Sequence, residues 1–223
     1  VDSISSIKKE DWDLFFAGCP EGYWFYATLE QSRFAEFSFY YLLAYRQQRL
    51  CAILPFFTAD FYADTVLEPG IRKLVGAVRA AVPRFLVFKT LFCGSPFGEQ
   101  GVLGIAPDVS DKERFVHAMT LELQSFCKQQ GLALLLFKDF SEQDEPVLDL
   151  LAGEGFFKTG SFPSASIDLP YTTFDEYLAS LSSGARKDLR RKLKKARDTG
   201  GLTTRVVERV DDIIDDIYRL YMN

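Results

Sequence analysis

The sequence predicts an α/β fold, a mixed sheet flanked by helices, on three observations. Segments with helical apolar spacing alternate with β-branched and aromatic runs along all 223 residues. Glycine, proline and aspartate punctuate the borders, and no repeat is short enough for a solenoid. A hydrophobic content of 48%, with 21 phenylalanines, supplies a substantial core and excludes wholesale disorder.

Residues 7–18 read as a short amphipathic helix and Thr28–Phe37 as a second. The runs Phe39–Tyr45 and Leu50–Phe57 then turn strand-like, and the polar connector Arg46-Gln47-Gln48-Arg49 between them predicts a hairpin. Pro69 in a first turn, with Ile71, Leu74, Val75 and Val78 at helical spacing, predicts a helix through Ala81 that Pro83 closes. Phe85–Cys93 reads as a buried strand, followed by the glycine-rich turn Gly94–Gly101 and a short apolar run through Ile105. Asp108–Gln130 predicts a long helix, begun near Ser110 or Asp111 and ended by Gly131, ahead of the strand Leu132–Phe137. Asp144–Ala152 reads as a helix and Phe156–Leu169 as a strand, with Asp168-Leu169-Pro170 marking a seam between domains 1–169 and 170–223. Beyond the seam come the helix Thr173–Leu181, a basic helix, the strand Leu202–Glu208 and the helix Val210–Tyr221.

The chain has 26 Lys and Arg against 31 Asp and Glu, a net charge of -5, so its surface as a whole is no nucleic-acid sink. Cys19, Cys51, Cys93 and Cys127 form no C-x-x-C pair and His117 is the sole histidine, which leaves little basis for zinc or a disulfide framework. Reduced thiols, with no apolar run long enough to span a bilayer and no leader pattern, predict a soluble cytoplasmic protein. The chain starts at Val1 and stops directly after a helical pattern, so a fragment lacking its partner half is expected.

Against the acidic background, residues 184–197 concentrate Arg186, Lys187, Arg190, Arg191, Lys192, Lys194, Lys195 and Arg197. Leu189, Leu193 and Ala196 recur at i, i+4 and i+7, which makes the run an amphipathic helix with its cations fanned over the remaining surface. Two readings stand: a solvated face, or an anion site in which Arg186, Lys187, Arg190, Arg191 and Lys194 hold a diphosphate or a tRNA backbone. The run has no interleaved aromatics, which argues against base stacking on a single strand.

The segment Tyr171-Thr172-Thr173-Phe174-Asp175-Glu176-Tyr177-Leu178-Ala179-Ser180-Leu181, continued by Arg186–Ala196 and Gly200-Gly201-Leu202, resembles the FemAB-like branch of the GNAT acyltransferase superfamily. That branch holds peptidoglycan-bridge and cellulose-biosynthesis-type acetyltransferase-like proteins, and the pattern stands where its second GNAT module begins. Gly94–Gly101 and Leu135-Leu136-Phe137-Lys138-Asp139-Phe140 are similar to its glycine-rich strand connection and strand-end turn. The resemblance implies a GNAT-like first module in 1–169 and the truncated beginning of a second in 170–223, packing on a missing C-terminal module. It further implies transfer of an acyl group to an amine, from acyl-CoA or aminoacyl-tRNA as co-substrate and with no permanently bound cofactor. The acceptor would be a small molecule or a cell-wall precursor. The superfamily's pyrophosphate loop, Q/R-x-x-G-x-G/A opening a helix, has no match; the nearest stretch, Gln100-Gly101-Val102-Leu103-Gly104-Ile105, leads into a strand-like run.

Acyl transfer to an amine needs a base for the ammonium proton and a donor to the oxyanion. Glu99, Lys138 and Asp139 are the catalytic candidates, the latter pair directly after a strand, where open α/β sheets place functional groups. A turn cap or structural ion pair is the competing assignment for Lys138 and Asp139, and a solvated turn residue for Glu99. Ser95, Phe97, Gly98 and Gly101 are expected to line a cleft. His117 and Cys93 have no partner at catalytic spacing and read as structural.

Overall fold

The structure, a computed structural model, describes residues 1–98, 100–160, 168–200 and 205–222. The chain divides into two compact units, Val1–Phe162 and Pro163–Asn223.

The first unit opens with α1 (Lys9–Phe16) and α2 (Tyr23–Gln31). Trp12 and Phe16, four residues apart, are buried on one face of α1, and Tyr26, Ala27 and Leu29 are buried on α2. The second helix thus lies N-terminal to its expected place at Thr28–Phe37. Gly22 starts it, and Arg33, held at a left-handed φ of 49°, ends it.

β1 (Ser38–Arg46) and β2 (Arg49–Tyr62) form the expected hairpin. Its two turn residues, Gln47 and Gln48, take φ of 50° and 65°, the handedness that a two-residue connection needs to match strand twist. β2 runs on past Phe57, and its extension Thr58–Tyr62 pairs with β3 (Val87–Cys93) after the excursion through α3 (Pro69–Ala81). β4 (Gly104–Ile105) pairs with Ala52 and Ile53 of β2. α4 (Lys112–Gln130) begins where the Asp111 carboxylate accepts from the Arg114 amide at 2.9 Å and ends on Gly131 at φ 64°. It carries the chain over to β5 (Leu134–Phe137), parallel to β3, as a parallel pair requires. α5 (Glu145–Leu148) continues as a 3-10 turn, Asp149–Glu154. No strand forms in Phe156–Gly160, the described start of the expected strand Phe156–Leu169; residues 161–167 of that expectation lie outside the described residues. Phe156 packs on the core while Phe157 is 88% exposed.

The sheet order is β1-β2-β3-β5, with the first three antiparallel. Alternation along β2 feeds two cores. Ile53 meets Trp12, Tyr26 and Tyr41 on the α1–α2 face, and Leu54 and Phe56 meet Val116, Met119 and Leu123 of α4 on the other. The predicted mixed sheet with flanking helices is therefore the fold.

The second unit holds α6 (Phe174–Ser180), α7 (Ser183–Asp198) and α8 (Ile214–Tyr221). α6 starts in a reciprocal capping box between Thr173 and Glu176, and the Ser182 hydroxyl caps α7 by accepting from the Ala185 amide. Arg205–Glu208, the described part of the expected strand Leu202–Glu208, carries no strand, and residues 201–204 lie outside the described residues.

Candidate functional site

The parallel strands β3 and β5 end side by side at the pair Cys93 and Phe137. The chain leaves β3 through Gly94–Gly101 and leaves β5 through Lys138-Asp139-Phe140, so two sequence-predicted segments meet at one sheet edge. They interlock. The Lys138 amide donates to the Cys93 carbonyl at 3.1 Å and the Gly101 amide to the Asp139 carbonyl at 2.8 Å. The Lys138 ammonium donates to the Ser95 carbonyl at 2.9 Å and pairs with the Asp139 carboxylate. Both side chains are about one-third exposed, so the pair faces water at the strand ends.

Close approach explains the glycines. A β-carbon at Gly94, which sits at φ 127°, would stand 2.9 Å from the Lys138 carbonyl oxygen. One at Gly101 would stand 2.6 Å from that oxygen and 2.8 Å from the Phe140 ring. The Ser95 hydroxyl, 1% exposed, accepts from the amides of Phe97 at 3.3 Å and Gly98 at 3.0 Å, which closes the turn on itself. Phe97, half exposed, packs tilted against Phe34 at 4.9 Å and edge-on against Phe37 at 5.4 Å, and rings continue along the sheet through Phe57 and Phe92. Glu99 lies outside the described residues.

One acidic group at this edge escaped the sequence reading. Glu21, 7% exposed, packs against Gly98, whose β-carbon would meet the Glu21 side chain at 2.8 Å, and its carboxylate accepts from the Cys19 thiol. Burial pushes that thiol up from its usual pKa. A single glutamate in the Cys19-Pro20-Glu21-Gly22 connector has no spacing signal; only the tertiary contact reveals it.

In the second unit, the five predicted anion-binding residues divide in two. Lys192 and Arg191 both hold Asp188, at 2.9 and 2.7 Å, and keep its carboxyl below the ordinary carboxylate range. Arg186 is half-buried and donates to the Leu181 carbonyl at 3.0 Å. The side chains of Lys187, Arg190 and Lys194 are exposed and have no ion pair or hydrogen bond to a described residue. Their spacing of i, i+3 and i+7 collects them on one stripe, opposite Leu189, Leu193 and Ala196.

His117 meets the Glu154 carboxylate at 3.0 Å on the surface, and Cys93 is buried, its thiol raised by desolvation. Among the described residues no helix is long and apolar enough to cross a membrane.

No protein-family model matches the chain, and no curated protein does. Solved structures similar to it include the tetramutant of the BH1408 protein from Bacillus halodurans, at 10% identity and a TM-score of 0.42 over 74% of this chain and 86% of that one. A protein described as a probable acetyltransferase is similar at 10% identity and a TM-score of 0.41, over 75% of this chain and 93% of that one.

Proposed function

We propose that the chain belongs to an N-acyltransferase-like protein of GNAT type, moving an acyl or aminoacyl group from a CoA thioester or a charged tRNA to an amine acceptor such as a cell-wall precursor. The observation that carries the reading is the Lys138–Asp139 pair at the carboxyl ends of adjacent parallel strands, the edge where open α/β sheets form ligand crevices. The resemblance of residues 171–202 to the FemAB-like branch supports it.

The chemistry follows from the groups at that edge. An ammonium has three N–H donors, and Lys138 directs one to Ser95 and one to Asp139, which leaves a third for an acyl oxygen or a phosphate. Asp139 is the acceptor for the proton that the incoming amine must lose. The new N–C bond forms as the C–S bond of the thioester, or the C–O bond of the aminoacyl ester, breaks, and the thiolate or alkoxide leaves.

Asp139→Asn keeps the left-handed backbone at φ 60°, which asparagine tolerates, and removes the base together with its partly exposed ion pair to Lys138. It should lower kcat by about 10²–10⁴-fold and shift stability by no more than about 1 kcal/mol. An unaltered kcat would remove Asp139 from the mechanism. A melting temperature of the full-length protein that no short-chain acyl-CoA raises would sink the CoA-dependent reading.

The second reading, a non-catalytic module that binds an anionic partner through α7, is favoured by the stripe Lys187, Arg190 and Lys194. It predicts affinity for tRNA that falls steeply with salt and drops on Arg190→Glu, without acyl transfer.

A further inference from the structure

Helix α3 stands almost wholly in solvent. Val75 is its one buried residue among the side chains described. Arg79, four residues on, is half-buried: its guanidinium pairs with Asp64, donates to the Phe85 carbonyl at 2.9 Å and lies 5.0 Å over the Tyr62 ring. That edge mounts the helix on the fold. Beside it, Ile71, Leu74, Val78 and Val82 recur at i, i+3, i+7 and i+11, and are 49%, 67%, 36% and 52% exposed. Phe85, just past the helix, adds another apolar surface at 38%. The apolar periodicity of this helix has therefore produced a stripe facing outward.

The charge on this helix is one-sided. Within Pro69–Ala81 the charged residues are Arg72, Lys73 and Arg79, with no acid, in a chain of net charge -5. Arg84 and Lys89 follow. Of the acids facing the segment, Asp64 is taken by Arg79 and Asp60 by Arg84, and Glu68 precedes the helix. Arg72 and Lys73 have no ion pair with a described residue. A second copy seated on this face would set like charges together. An anionic bilayer offers the complement: an apolar boundary for the stripe and phosphates for the cations.

We propose that α3 docks the protein on an anionic lipid surface, lying in the plane of the headgroups with Ile71, Leu74, Val78 and Val82 inserted. The test is co-sedimentation of the full chain with phosphatidylcholine vesicles made with and without phosphatidylglycerol. The unaltered protein should sediment with the phosphatidylglycerol vesicles, and Ile71→Glu/Leu74→Glu should weaken this by about tenfold or more. Arg72→Gln/Lys73→Gln should weaken it severalfold while adding salt erases the difference. Both pairs are exposed, so circular dichroism should match the unaltered chain. Leu74→Trp provides an independent reading, its emission shifting blue on vesicle addition. The proposal is overturned if the unaltered chain ignores anionic vesicles, or if the glutamate pair binds them equally. It is also overturned if the chain proves to be a dimer that the same pair dissociates.

Discussion

Gly101→Ala probes the interlocked turns most directly. The added methyl would lie 2.6 Å from the Lys138 carbonyl oxygen and 2.8 Å from the Phe140 ring, inside contact distance on two sides. Neither neighbour yields easily, because the Lys138 backbone N–H is hydrogen-bonded to the Cys93 carbonyl and Phe140 packs against Phe137. Overpacking of this kind costs about 1–3 kcal/mol, and relief by parting the turns gives up the Gly101–Asp139 hydrogen bond, about 1 kcal/mol more. A loss of about 2–4 kcal/mol lowers the melting temperature by roughly 10 °C for a unit of this size. Chemical unfolding of the variant beside Gly76→Ala measures it, since a β-carbon at the exposed helical Gly76 meets nothing within 4 Å. Gly76→Ala should gain up to about 1 kcal/mol. If Gly101→Ala were neutral or stabilising like its control, close backbone approach would not be what glycine serves at 101.

Two further outcomes concern stability. Glu30 accepts from the Ile4 amide at 2.7 Å, the Tyr41 hydroxyl at 2.6 Å and the Ser3 hydroxyl at 2.9 Å, so Glu30→Ala orphans a buried phenol and should cost about 2–4 kcal/mol in denaturant unfolding. The Arg79 hydrogen bonds hold the Asp64 carboxyl below its usual pKa. Its folded value being lower than its unfolded one, its stabilising contribution is complete above about pH 4 and disappears as pH falls through the depressed folded value. Unfolding midpoints of the unaltered chain and Asp64→Asn, measured across acid pH, should therefore converge at the low end.

Elements whose ends are written in local chemistry are the ones the sequence reveals. Asp111 and Gly131 bracket α4, Thr173 and Glu176 open α6, and a four-residue polar connector announces the hairpin. The second helix was displaced because Tyr23–Tyr26 carry β-prone aromatics that only the neighbouring Trp12 and Tyr41 turn into a helical core face. Both halves of the candidate site were visible separately, Gly94–Gly101 by its glycines and Lys138-Asp139 by its place after a strand. Their meeting was not, because sheet order decides it. Periodicity likewise gave α3 as a helix but not its direction of facing, which depends on what else occupies that side of the fold.

The Lys138–Ser95 bond spans 43 residues of chain. The antiparallel β1-β2 pair is linked by a two-residue turn, whereas β3 and β5 come together only once α4 has crossed and closed a long loop. In kinetic terms the strand-end joint belongs to the slow, non-local part of folding, behind the hairpin. Whatever chemistry this edge performs therefore depends on α4 having first brought β5 beside β3.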